Sequence, residues 1–270
     1  MNELSVREIR EIQMTIMDYV DEFCSQNKIQ YFLVGGTLIG AVRHNGYIPW
    51  DDDIDIMMYR DEYEKFITLF NASQNKYYAY SLQDEGYHYP FCKICNKNTV
   101  LIEDNIKVHD IEMGVFIDLF PLDKLPEDAD QKRLLDELHS LDKKMYGKAF
   151  RLEKLNNKSF KQKCLILLYR LCGIGISKKE IAFKQDLISR RYEKSDTDQY
   201  GLITSAIRKR IPTVLRNENK PVEHVFENRK YKIPSQYDRY LSECFGNYME
   251  LPPEGKRVSN HSFTVTYKEG

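Results

Sequence analysis

Ile9, Ile12, Ile16, Val20 and Phe23 recur at three- and four-residue steps, with Arg7, Glu8, Glu11 and Asp18 turned elsewhere, so the chain opens with an amphipathic helix laid on a core. Tyr31 to Val34 is a short apolar run ending at Gly35-Gly36; it predicts a buried strand, then a helix from Leu38 to His44 that Asn45-Gly46 stops. Asp53 to Met58 alternates acid with isoleucine and predicts a second strand. Asp61 stands where it would cap an amphipathic helix running to Phe70. Tyr77 to Ser81, Phe91 to Ile94 and Thr99 to Ile102 read as extended, the last two forming a hairpin across Asn96-Lys97-Asn98. Gly114 to Phe120 is another apolar strand, with Pro121 and Pro126 marking its exit. Beyond it the period turns helical over Ala129 to Arg151, Lys161 to Cys172 and Ser177 to Lys194, broken at Asn156-Asn157 and Gly173-Ile174-Gly175. Val222 to Ile233 reads as a hairpin, and Ser235 as the cap of a last helix ending at Gly246.

This order of elements predicts an α/β (α+β) class, a mixed-sheet core with helices and a mainly helical second lobe. The expected boundaries are a core over 1–125, a helical, basic lobe over 126–216, and a segment over 217–270 returning to the cleft of the core. At 270 residues the chain is long enough to bury a sizeable core. With 42% hydrophobic and 12% aromatic residues it has the composition of a soluble enzyme, and its first residues carry no signal-peptide apolar region, which predicts a cytoplasmic protein. Six scattered cysteines in a chain of this size read as reduced thiols; Cys92 and Cys95 lack the second pair that a zinc site needs. A net charge of −1 argues against nucleic acid as a partner. That total conceals a basic stretch, Lys143 to Lys179, with eleven Lys or Arg against the single acid Glu153, and the partner of such a stretch is anionic.

The chemistry concentrates between Tyr31 and Met58. Alternate side chains of a strand share a face, so Asp53 and Asp55 point together while Ile54 and Ile56 point into the core. Two carboxylates that close repel unless a cation bridges them, and hard oxygen ligands suit Mg²⁺ or Mn²⁺. Asp118, alone in an apolar strand, supplies a third ligand or a general base, because an unpaired charge there is costly. Asp51 and Asp52 remain candidates for a turn or for supporting positions. Glycines bring backbone N–H groups close to phosphate, so Gly35 and Gly36 beside these acids describe a site for phosphate transfer.

The Gly35-Gly36-Thr37 turn, Asp53-Ile-Asp55 and a later strand aspartate together resemble the nucleotidyltransferase superfamily. More narrowly, GTLIGAVRHNGYIPWDDDIDIMMYRDEYEKF from Gly36 to Phe66 resembles the LicD family of phosphocholine transferases, relatives of the fukutin-type sugar-phosphate transferases. KICNKNTVLIE from Lys93, GVFIDLFPLD from Gly114 and YKIPSQYDRYLSECFGNYMELPPEGKR from Tyr231 extend the likeness over most of the chain outside its helical middle. The resemblance implies a nucleotidyltransferase-like core. It also implies transfer of phosphocholine from CDP-choline to a sugar hydroxyl of a teichoic acid or lipooligosaccharide precursor, with Mg²⁺ required and CMP released. Carried over by position, Asp53, Asp55 and Asp118 would be the metal and catalytic carboxylates. Gly35, Gly36 and Thr37 would lie against the nucleotide phosphates, with Arg43 and Lys93 offsetting phosphate charge.

A choline pocket needs aromatic faces. Trp50, the single tryptophan, is the first candidate, with Tyr47, Tyr87, Tyr89 and Tyr248 behind it. In the tail, Lys256, Arg257 and His261 are placed to return to the cleft and touch the nucleotide. The apolar run Cys164 to Ile176 contains Arg170 and is too short for a span of about 20 residues. It suits an interfacial helix with the flanking lysines on anionic lipid, and equally a buried helix of the second lobe with a solvated basic face; the family resemblance implies an acceptor glycan carried on a polyprenyl diphosphate. Two other readings stand beside this one: transfer of ribitol or glycerol phosphate or of a nucleotide, and a non-catalytic scaffold.

Overall fold

The computed structural model describes residues 3–73, 75–204, 213–259 and 262–268. The elements in chain order are α1 (Val6–Asn27), β1 (Phe32–Leu33), α2 (Gly35–His44), β2 (Asp55–Tyr59), α3 (Arg60–Ala72), β3 (Tyr77–Tyr80), β4 (Cys92–Asn96), β5 (Thr99–Glu103) and β6 (Phe116–Lys124). After them come α4 (Asp128–Ala149), α5 (Phe160–Cys172), α6 (Lys178–Ser189), β7 (Gln199–Gly201), β8 (Val214–Leu215), β9 (Pro221–Phe226), β10 (Arg229–Pro234), α7 (Tyr237–Phe245) and β11 (Phe263–Tyr267). The main sheet runs β1-β2-β6-β4-β3, with β7 joined to the far end of β6 and β8 to β7. Within it β2 and β6 pair parallel, while the other neighbours are antiparallel. The mixed sheet and its helices are the α/β arrangement that the element order predicts.

Helix α1 forms because Ser5 caps it in a reciprocal box with Glu8, and it buries Ile9, Ile16, Val20 and Phe23 in the main core. Phe23 meets Phe66 and Phe70 of α3 edge-on or nearly so, so one aromatic cluster holds both helices to the sheet.

Several local expectations are corrected. Helix α2 begins at Gly35, not at Leu38, so the glycine turn is itself the first turn of the helix. Strand β2 starts at Asp55, leaving Asp53 in the approach to it. Helix α3 follows β2 directly, with Tyr59 at the cap; Asp61 lies inside its first turn and accepts a hydrogen bond from Arg216 at 2.7 Å. The hairpin expected between β4 and β5 is absent: β5 pairs with β11, and β4 lies between β3 and β6. Strand β6 passes through Pro121 as far as Lys124. Proline is tolerated there because the pairing with β4 ends at Leu119 and that with β7 begins at Asp123, so on that edge its missing N–H falls in a gap. Helix α6 stops at Ser189 in a short 3₁₀ turn, and α7 starts at Tyr237. Ser235 instead accepts from the Lys220 N–H at 2.9 Å and closes the β9–β10 hairpin.

In the helical middle, Ser159 and Ser177 each form a capping box, with Gln162 and Glu180. Helix α5 packs closely on α4 because Gly147 has no side chain: a Cβ there would stand 2.4 Å from the Arg170 nitrogen. This part of the chain is joined to the sheet by Arg60 at the start of α3, whose guanidinium bonds both oxygens of Asp123 on β6 (2.7 and 2.6 Å) and Asp186 on α6 (3.1 Å).

Candidate active site

The parallel pairing of β2 with β6 sets Asp55 opposite Asp118, and the antiparallel pairing of β4 with β6 sets Lys93 opposite the same Asp118. Side chains opposite one another in neighbouring strands share a face, so one acid, a second acid and a lysine stand side by side across three strands. The Lys93 ammonium donates to Asp118 Oδ1 at 2.6 Å. It lies 3.4 Å from the Phe116 ring centroid and 5.6 Å from those of Tyr89 and Phe91, a cage that fixes it where little water reaches.

The turn before β2 adds more negative charge. Carboxylate oxygens of Asp51, Asp52 and Asp53 lie within 4.8 Å of one another. This turn is shaped from α1: Arg10 donates to the carbonyls of Ile48 (3.2 Å), Pro49 (3.0 Å) and Asp51, and Gln13 donates to the Asp52 carbonyl at 2.8 Å. Ser259, in the tail, donates to Asp52 Oδ2 at 2.6 Å. Asp55 answers to this crowding: burial, then the charges of Asp53, Asp118 and Asp51, push its carboxyl well above the usual carboxylate range against the opposing pull of Lys93.

Glycine is required where α2 meets these acids. Gly35 has φ +59°, and a Cβ on it would stand 3.1 Å from Asp55 Oδ2; one on Gly36 would stand 2.4 Å from Asp51 Oδ2. The first N–H groups of α2 and the positive end of its dipole therefore approach the carboxylates closely. Thr37 is buried, and its Oγ1 accepts from the Asp55 N–H at 2.8 Å, so it registers β2 against α2 and is not placed to touch a ligand phosphate.

A cavity of about 670 Å³ opens onto this group, with Gly35, Gly36, Asp52, Asp53, Asp55, Lys93 and Asp118 among its walls. Elsewhere it is walled by Tyr89, Phe91, Phe120 and Phe263, with the acids Glu103 and Asp142. The hard oxygen donors at one end, and the raised carboxyl of Asp55, fit a divalent cation. Asp51 and Asp52, demoted by the strand alternation, belong to this group as closely as Asp53 does.

Other expected residues lie elsewhere. Arg43 donates to the carbonyls of Tyr248 (2.5 Å) and Glu250 (3.2 Å) and to His44 Nε2 (2.9 Å), and so ties α2 to the segment after α7. It is not among the cavity walls, and neither is Trp50, which packs edge-on against His44 with the Arg257 guanidinium 5.9 Å from its ring. Arg257 also donates to the Pro252 carbonyl at 2.8 Å, and Lys256 sits exposed in a 3₁₀ turn. His261 lies outside the described residues. Of the aromatic candidates for a choline face, Tyr89 reaches the cavity; Tyr47 and Tyr248 give their hydroxyls to Gln13 and Asp238. Cys92 and Cys95 are buried free thiols, Cys95 pushed up to about 12 by burial, in keeping with a packing role.

Sequence reasoning missed Arg10 and Gln13, which carry no motif and lie about forty positions from the turn they hold. It also missed Phe116 and Phe91, whose value to Lys93 depends on pairing across strands.

Residues 28–136 match the family model described as the LicD/FKTN/FKRP nucleotidyltransferase domain. The chain is 29% identical over 266 residues to the lipopolysaccharide cholinephosphotransferase LicD of Haemophilus influenzae, covering 97% of each chain. It is 47% identical to the human ribitol 5-phosphate transferase FKRP over 34 residues, which is 13% of this chain and 7% of that protein. The matched span contains Gly35, Gly36, Asp53, Asp55, Lys93 and Asp118, so the chain carries, over residues 28–136, the nucleotidyltransferase domain of the LicD/FKTN/FKRP family.

Proposed function

We propose that this protein is a phosphotransferase that moves phosphocholine from CDP-choline to a hydroxyl of a cell-surface glycan precursor, releasing CMP. The observation that carries this reading is the alignment of Asp55, Asp118 and Lys93 across β2, β6 and β4, beside the glycine turn of α2. Asp53 and Asp55, with Asp51 beside them, would hold Mg²⁺ or Mn²⁺, which when bound supplies positive charge against the phosphate oxygens. Gly35 and Gly36 leave room for the phosphates at the helix N-terminus. Asp118 takes the proton of the attacking hydroxyl as the new O–P bond forms and the bond to CMP breaks. Lys93 aligns that carboxylate and stands ready to balance charge on the transferring group. Phe91, Tyr89 and Phe120 give the cavity the apolar faces suited to a quaternary ammonium.

Thermal melting of the protein with CDP-choline, CDP-ribitol, CDP-glycerol or CTP, each with and without Mg²⁺, tests the donor. At a ligand concentration one hundred times Kd the native state gains about 2.7 kcal/mol, enough for a shift of several degrees. The expected result is a Mg²⁺-dependent shift largest with CDP-choline. A larger shift with CDP-ribitol would instead favour the chemistry named for FKRP, and no shift with any nucleotide would favour a scaffold.

Among the described residues no helix is long and apolar enough to cross a membrane. Helix α5 nonetheless leaves Leu167, Leu168 and Leu171 exposed, with Phe160 at its start 83% and Ile174 just beyond it 73% exposed, amid the lysines of the basic stretch. An apolar ridge flanked by cations fits the headgroup region of an anionic bilayer, which would bring the enzyme to a polyprenyl-linked acceptor at the cytoplasmic face. Flotation with phosphatidylglycerol vesicles is expected to carry the protein, phosphatidylcholine vesicles to leave it behind, and Leu168→Glu with Leu171→Glu to reduce binding at least tenfold. Equal recovery with both lipids would count against the idea.

A further inference from the structure

A second cavity of about 400 Å³ adjoins the first, and Lys93, Leu101, Glu103, Ile106, Val108 and Phe116 form walls of both. Its remaining lining includes Val100, Lys107, His109 and Arg151. His109 is only 7% exposed, its ring stacked on Tyr87 with centroids 4.4 Å apart. Its Nδ1 accepts the His88 N–H at 3.1 Å, which leaves the ring hydrogen on Nε2. Burial and the neighbouring cations Lys93 and Lys178 lower its pKa to about 2, so it is a neutral imidazole at any working pH. Among the described residues, Nε2 of His109 and Nε of Arg151 are buried and have no acceptor. A buried N–H without a partner costs about 1–3 kcal/mol, and two such groups on residues that line one cavity are groups that a ligand oxygen could meet.

We propose that this second cavity seats the alcohol-bearing acceptor, a sugar whose oxygens accept from His109 Nε2–H and Arg151 Nε–H. The inference rests on the phosphotransfer reading above. The glycine turn and the acid cluster wall only the first cavity, which places the donor phosphates there. In-line displacement needs the hydroxyl to arrive from a different direction than the leaving nucleotide. Lys93, wall to both cavities and bonded to Asp118, stands where the two reactants would meet. The polar side chains Glu103, Lys107, Glu112 and Arg151 beside valine, leucine and isoleucine give the cavity both hydrogen-bonding groups for hydroxyls and apolar faces for the C–H face of a sugar ring.

Two variants test it. Val100→Phe fills the second cavity from a position that lines it and not the first, and His109→Phe keeps the ring stack on Tyr87 while removing both nitrogens. The probes are the methyl glycosides of galactose, glucose and N-acetylgalactosamine, read by saturation-transfer NMR with Mg²⁺ and CMP present. At least one glycoside is expected to give a signal with the native chain that falls fivefold or more in both variants, while the Mg²⁺-dependent melting shift with CDP-choline is the same in all three proteins. An undiminished signal in both variants, or no glycoside signal with the native chain, overturns the proposal. Loss of the CDP-choline shift in the native chain refutes the donor reading and leaves the glycoside result to stand by itself. Should either variant fail to melt cooperatively, Arg151→Gln, at a half-buried position away from the ring stack, replaces it under the same outcomes.

Discussion

Asp55→Asn is expected to lower turnover about 10³-fold while leaving the fold intact. A bound divalent cation contributes several kcal/mol of transition-state stabilisation, and each 1.36 kcal/mol is a factor of ten. Asparagine keeps the backbone N–H that donates to Thr37 and nearly the same volume, so β2 retains its register. What it removes is one charge from a group in which Asp53, Asp118 and Asp51 already press on Asp55. The variant should therefore melt at or above the temperature of the native protein in a metal-free buffer, yet lose most of the Mg²⁺-dependent shift. Release of CMP from CDP-choline in the presence of an acceptor, together with melting in EDTA and in Mg²⁺, measures both. Unchanged turnover would remove Asp55 from the chemistry; a collapse of stability in EDTA would mean that the carboxylate holds the fold instead.

Arg60→Met is expected to destabilise the protein by about 3–5 kcal/mol at neutral pH, the usual cost of removing one partner of a buried ion pair. Asp123 is 3% exposed and makes both its charged hydrogen bonds to Arg60. Burial already pushes the Asp123 carboxyl above the usual carboxylate range with the guanidinium beside it, and without Arg60 it would rise further. A carboxyl with a higher pKa in the folded than in the unfolded state binds more protons when folded, so stability rises as pH falls. The deficit of Arg60→Met should accordingly be largest near pH 8 and narrow towards pH 5, and Arg60→Met with Asp123→Leu should recover most of it. Urea denaturation of the three proteins at both pH values decides the matter. A deficit that does not change with pH would show that the lost packing of the arginine, not the stranded charge, is the cause.

The parts of the site that could be read from the sequence are those set by strand periodicity. Ile54 and Ile56 flank Asp55, and Asp118 sits amid Val115, Ile117 and Leu119, so these two acids had to share the face opposite the core, whereas Asp53 precedes the strand and groups with Asp51 and Asp52 through the turn. The cavity-lining Gly35 and Gly36 were legible for a related reason, since two glycines between a strand and a helix mark a close approach. The serine caps of the middle helices were legible too, because capping is a local exchange of hydrogen bonds. Arg43 shows the limit of proximity along the chain: it lies in the helix that begins at the glycine turn, but the two carbonyls it bonds are more than two hundred residues away. The pairing of β5 with β11 was equally hidden, because a tight turn at Asn96 to Asn98 argues for a hairpin, and only the arrival of Phe263 to Tyr267 supplies the competing edge.

The single parallel seam in the main sheet has a kinetic meaning. Asp55 and Asp118 are brought together by β2 and β6, and the chain that this seam must close over holds α3, β3, β4 and β5. Contacts of such long sequence separation form late and slowly. Asp118 is thus kept from the acids of the β2 turn until the surrounding core can hold them together, and a half-folded chain lacks one wall of the cradle for a divalent ion. Magnesium should then act on this protein chiefly as a brake on unfolding, lengthening the life of the finished molecule without hastening its assembly.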